Sequence, residues 1–147
     1  MASGKYQYCS AKILNFMFCG ATYAWTQPTN FYIGLFHTAP SLPSTNTGTE
    51  TPTGGGYTAR LTVACGTTNW TAVTATTLAN AAAFTYPVAT TPGYDSGTNN
   101  IVGAGVWDSA TIGAGNLYYY GDLTVAKQVN TGDTPSVAIG AFTIQET

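Results

Sequence analysis

Two runs of β-branched and aromatic residues, 101–107 (IVGAGVW) and 117–124 (LYYYGDLT), flank a stretch, 108–116, that carries two glycines and ends in Asn116. Such a pattern predicts an antiparallel hairpin, because the flanks have strand composition and the middle has turn chemistry. The rest of the chain must pack around it. In the first run Val102, Ala104 and Val106 share one face, and Ile101, Gly103, Gly105 and Trp107 share the other. Two glycines within a strand mark a bulge or a close approach. Trp107 is expected in the core, and Asp108, where the strand enters the turn, is expected to bond backbone there.

Other strand signals are short and separated by turns. Residues 31–37 (FYIGLFH) have strand composition and end before Pro40 and Pro43. Residues 57–64 alternate Tyr57, Ala59, Leu61 and Val63 against Thr58, Arg60 and Thr62, which places Arg60 on the wetter face. Weaker signals lie at 70–74 and 83–86, and stronger ones at 123–129 and 136–144, with a turn at Asn130 to Asp133 between the last two. Ser41 to Gly56 and Thr90 to Asn100 are expected to be polar surface loops. Seven or eight short strands spaced by turns define a mainly β fold, an antiparallel β-sandwich of the jelly-roll or immunoglobulin-like kind. One domain over 1–147 is expected, with the sandwich over 31–147.

One helix is predicted, over 5–19. Tyr6, Cys9, Ile13, Phe16 and Met17 recur at helical steps, Ser3 is placed to cap the start, and Gly20 stands where a helix stops. Leu14 and Phe18 lie away from that stripe. The amphipathic helix is therefore expected either to touch a partner as well as its own domain, with Leu14 and Phe18 as assembly contacts, or to plug its own sandwich with both faces buried.

Chemistry is scarce. Only 7% of residues are charged, against roughly 25% in an average soluble domain. So neutral a surface suits a subunit covered by neighbours. The net charge of -2 and the lack of a basic cluster argue against nucleic-acid binding, and no run has the length of a membrane span. Cys9, Cys19 and Cys65 have no metal-type spacing and suggest reduced thiols at synthesis. His37 is expected to be a packed or solvent-facing ring and not a ligand. Glu50, Asp95, Asp108, Asp122, Asp133 and Glu146 fall in turns or at the chain end, so no carboxylate pair for glycan cleavage stands out. No enzyme activity, metal or cofactor is expected. Tyr118, Tyr119 and Tyr120 must alternate faces, and core packing with interface use of the remainder, such as Tyr119, is their expected role.

Several motifs stand in a particular order: the N-terminal helix, residues 31–40 (FYIGLFHTAP), Glu50 before Gly-Gly-Tyr and Arg60, 84–89 (FTYPVA), 106–110 (VWDSA), 115–117 (GNL), 121–124 (GDLT) and 132–136 (GDTPS). Together they resemble a family of small tailed-bacteriophage virion proteins of the tail-fibre-like kind. Gly56, Tyr57, Thr58, Ala59 and Arg60 carry one residue more than that family's usual Gly-Tyr-Ala-Arg, and the loop before Ile101 is longer. The resemblance implies a non-enzymatic virion subunit assembled in the host bacterial cytoplasm. A capsid decoration or cement protein is the first expectation, and a tail-fibre or receptor-binding module with loops 41–56 and 90–100 on host glycans is the alternative. A homotrimer bound to the major capsid protein or other virion proteins is implied by analogy with sandwich proteins at threefold positions. Glu50 and Arg60 join Leu14, Phe18 and Tyr119 as candidate contacts.

Overall fold

The computed structural model describes residues 4–5, 7–19, 28–40 and 49–146. In chain order they form β1 (Gly4–Lys5), α1 (Gln7–Phe18), β2 (Asn30–Thr38), β3 (Thr49–Glu50), β4 (Leu61–Ala64), β5 (Thr77–Ala79), β6 (Phe84–Thr85), β7 (Ile101–Trp107), β8 (Leu117–Lys127), β9 (Ser136–Val137) and β10 (Thr143–Gln145). The largest sheet runs β1-β8-β7-β2-β3, with β4 also on β2, and the two ribbons β10-β5 and β6-β9 stand apart from it. All pairings are antiparallel. The fold is mainly β and sandwich-like, with one helix near the N-terminus.

The expected hairpin is β7-β8, and its two strands differ in length because β8 bulges twice. Val106 pairs with Tyr119 and Trp107 with Leu117, so Tyr118 is the extra residue. Its ring stays buried, edge-on to Tyr8 and Phe31 at 5.4 and 5.5 Å between centroids. Ile101 pairs with Lys127 but Gly103 with Asp122, which leaves residues 123–126 opposite Val102 alone. This second irregularity corrects the face of Ile101. It packs with Val106 and not with Trp107.

Each face of the large sheet has its own apolar cluster. On the first, Ile33, Leu35, Val63 and Val106 meet Tyr57, Tyr86, Tyr94 and Phe84, and Val137 and Ile144 of the two ribbons close over them. Between β4 and β3 the edge of β2 lacks a strand partner, and tyrosines supply one: the Tyr57 hydroxyl accepts the Leu35 N–H at 3.2 Å and the Tyr86 hydroxyl donates to the Ile33 carbonyl at 3.2 Å. Burial raises the pKa of both hydroxyls, so each keeps its proton. The second face holds Phe36, Trp107, Leu117 and Tyr120, with Tyr32 at its margin. Glycines make room there. A Cβ on Gly103 would stand 2.3 Å from the Tyr120 hydroxyl, and one on Gly105 2.6 Å from Leu117 Cδ1 and 2.9 Å from Phe36 Cε2.

Several expectations need correcting. The strand expected from Tyr57 begins only at Leu61, since Tyr57 closes a tight turn with Gly54 by two reciprocal backbone bonds of 2.9 Å. The extra residue before Arg60 thus falls outside the ladder, and no alternation governs Arg60, which is buried. The polar stretch 49–56 is not all surface, because β3 pairs with β2 and Thr51 is buried. The loop 90–100 is pinned as well: Tyr94 and Asp95 are buried, and Gly93 packs against the backbone of Gly55. Ser3, Tyr6, Gly20, Pro43 and residues 41–48 lie outside the described residues. The signal at 70–74 yields only isolated bridges, and the strand is Thr77–Ala79, on β10.

Candidate functional site: a buried arginine node and an exposed helix end

Glu50 and Arg60 come together under the β7-β8 turn. Arg60 Nε donates to Glu50 Oε1 at 2.6 Å and Nη2 to Oε2 at 2.8 Å, a bidentate pair. Nη1 donates to the carbonyls of Ser109 and Ala114 at 2.6 and 2.8 Å. The guanidinium lies 3.7 Å from the Trp107 ring centroid, a cation–π contact in a dry site. Side-chain exposures of 0% and 8% show that neither charge is at the surface. Glu50 Oε2 also accepts the Gly113 N–H at 3.2 Å, and the Arg60 N–H reaches the Ala110 carbonyl at 3.2 Å. One arginine thus fastens the whole turn to β3 and β4. Gly34 leaves the space, since a Cβ there would be 2.5 Å from Glu50 Oε1 and 2.9 Å from Trp107 Nε1.

The turn is closed at its neck by Asp108, as expected, through 2.6 and 2.8 Å bonds from the backbone and side-chain amides of Asn116. The polar groups of Glu50, Arg60 and Asp108 are therefore engaged inside the chain. Glu50 and Arg60 as direct assembly contacts are not what this geometry offers.

Tyr119 is likewise engaged. Its hydroxyl donates to Glu146 Oε1, and Lys5 Nζ lies 2.5 Å from Glu146 Oε2. Cys9 Sγ, on α1, is 3.8 Å from the Tyr119 hydroxyl. This cluster ties β1 and α1 to β8 and to the residue after β10. Burial alone would push the Glu146 carboxyl up, but the Lys5 ammonium and the Tyr119 hydroxyl outweigh it and hold its pKa below the usual 4.5. Burial, then the bond to Glu146, raises the Tyr119 pKa. The carboxyl thus stabilises the folded chain above its unfolded pKa, and that contribution is lost as pH falls through its lowered folded value. Glu146 is 40% exposed, so the global effect is screened and small. The expected result is local: hydrogen exchange, corrected for intrinsic rates, accelerates at Lys5 and Tyr119 as pH falls below the usual carboxylate range, while the β2-β7 amides stay protected.

The helix presents the opposite situation. Of its side chains only Cys9 is buried, at 2% exposure. Leu14, Phe16, Met17 and Phe18 are 56, 61, 63 and 74% exposed. Leu14 and Phe18 stand where the sequence placed them. Phe16 and Met17 do not, because their helical spacing predicts the inward stripe with Cys9. Phe16 is two turns from Cys9 on the same side of the helix, while Ile13 between them is half-buried, so only the C-terminal end of α1 extends past what the helix packs on. An apolar patch at a helix end is thereby larger than the sequence indicated.

His37 meets the carboxylate of Asp95, which reaches it from the loop after β6 while Asn99 Nδ2 holds the same oxygen at 3.0 Å. Sequence spacing gave no sign of that pair. Among the described residues no group of three or more His, Cys, Asp or Glu side chains is placed to hold a metal, and no helix is long and apolar enough to cross a membrane.

The motif order resembles that of bacteriophage virion structural proteins, and the comparison with known families agrees with it. The family model of Podophage GP4 fiber I protein gp80 matches residues 4–145, and the chain belongs to that family of phage fibre proteins. None of the curated proteins matches it.

Proposed function

We propose that the chain is a non-enzymatic fibre subunit of the virion, self-associating as a homotrimer through the apolar end of α1. The observation that carries the self-association is the exposure of Leu14, Phe16, Met17 and Phe18 on a chain with few charges to desolvate on assembly. The fibre description of the family favours this reading over the capsid decoration that the sequence suggested first. Gold-labelled antibody on intact particles tests the location. Label at the tail is the expected result, and label over the head would return the assignment to capsid decoration.

The helix face has its own test. Burying Leu14 and Phe18 against a partner contributes roughly 1.5–3 kcal/mol each before association costs. The Leu14→Ser, Phe18→Ser double variant is therefore expected to fold with a near-normal melting temperature and to lose about a hundredfold or more in association by analytical ultracentrifugation. Normal association would refute the role of this face. Unfolding would refute the expectation that this face serves association and not folding.

A further inference from the structure

We infer that β1 and α1 form an exchangeable arm, which in the assembled protein docks on β8 of a second copy of the chain. The inference rests on the self-association proposed above and goes further, because it states which surfaces pair.

The docking site and its occupant are both visible. β1 lies along β8 with Gly4 opposite Tyr120 and Lys5 opposite Tyr119, Tyr8 meets Tyr118, Cys9 meets Tyr119, and Lys5 meets Glu146. Whatever chain supplies it, that site fits this segment. The hold is slight for a structural element. β1 is two residues long and α1 buries one side chain, so the ordering of the arm depends on a few contacts around Tyr119 and Glu146.

The arm's covalent connection to the rest of the chain also permits exchange. Residues 19–29 separate α1 from β2. Eleven residues reach at most about 36–40 Å when extended, while a domain of this size has a radius of gyration of roughly 15 Å. Exchange keeps every contact that the arm makes within one chain and so loses none of them, as in other swapped elements. It also adds contacts. The C-terminal end of α1 projects past its own body, and moving the arm to a neighbour brings the exposed Leu14, Phe16, Met17 and Phe18 to the junction between copies, where the body of the donor and that of the acceptor meet. Neutrality of the surface leaves little charge repulsion to oppose that approach.

The Lys5–Glu146 contact reports the arrangement directly. A carbodiimide joins an amine and a carboxylate in contact as an amide, with the water lost taken up as its urea. The full-length chain is treated at the concentration where it self-associates, separated on a denaturing gel, and the band containing the Lys5–Glu146 linked peptide is identified by mass spectrometry. Exchange is expected to put most of that peptide in bands at two and three times the chain mass, and Glu146→Gln is expected to abolish it there. Recovery of the linked peptide at the mass of one chain would overturn the inference, as would its absence at every mass or a chain that stays monomeric. None of these results bears on whether antibody finds the protein on tail or head, so the location and the arm stand or fall separately.

Discussion

Arg60→Ala is expected to lower the stability of the chain by about 3–5 kcal/mol, the cost of removing one partner from a buried ion pair. Three losses add up at that position. The Glu50 carboxylate is left in the interior with the Gly113 N–H for a partner, the Ser109 and Ala114 carbonyls lose their donors, and the Trp107 ring loses the group that seals it. Lysine does not rescue it, because one ammonium cannot make the bidentate pair and also span both carbonyls. Chemical denaturation followed by Trp fluorescence measures the change. A loss under about 1 kcal/mol would show a solvated, surface-type pair. A double variant, Glu50→Leu with Arg60→Met, separates the loss of the pair from the stranding of a charge. It removes the stranded charge, and recovery of part of the stability is expected because an apolar replacement avoids the desolvation that the pair incurs. Glu50→Ala alone should be as damaging as Arg60→Ala, since it strands the guanidinium instead.

Trp107→Ala is expected to cost about 3–5 kcal/mol, towards the upper end. Its ring is fully buried between Phe36, stacked at 6.0 Å, and Arg60. Collapse into the space is restricted because Gly34 and Gly105 lie beside the indole nitrogen and have no side chain to shift into the cavity. A domain of ordinary stability, 5–15 kcal/mol, would be near its unfolding threshold in this variant. Thermal melting by circular dichroism gives the test, and a near-normal midpoint would mean that the ring can be solvated where it sits. Arg60 and Trp107 touch, so their effects should not add. The Arg60→Ala, Trp107→Ala chain is expected to lose less than the two single losses combined, by at least about 0.5 kcal/mol.

How far these features were legible in the sequence depends on the range of the contact behind each. Strand composition about a turn is local, and the β7-β8 hairpin, the burial of Trp107 and the neck made by Asp108 and Asn116 all followed from it. Helical spacing is local too, so α1 was found within a few residues of its ends. What α1 leans on is not local. Phe16 and Met17 share an angle with inward residues, but the body that would cover them stops before them. Arg60 failed for a related reason. The alternation from Tyr57 presupposed a continuous strand, whereas the bond between Gly54 and Tyr57 turns the chain back and starts the ladder at Leu61. Thr77–Ala79 lacked a strand signal because its partner, Thr143–Gln145, lies near the other end of the chain. Glu146, read as a chain-end carboxylate, is the centre of the contact that holds the N-terminal segment.

The glycines under the aromatic face carry a consequence for how such chains diverge. Gly34 pairs with Gly105, and Gly103 with Phe36, so bare backbone lies beneath the indole, phenyl and phenol rings of the second cluster. Volume on this face is shared between facing positions and cannot be gained at one without being given up at another. A larger residue at 105 requires a smaller one at 36 or 117, and a larger one at 103 requires the loss of the Tyr120 ring. Related chains should therefore change here in correlated sets. Positions 34, 36, 103, 105, 107, 117 and 120 should covary as one group, while the exposed loop residues drift independently.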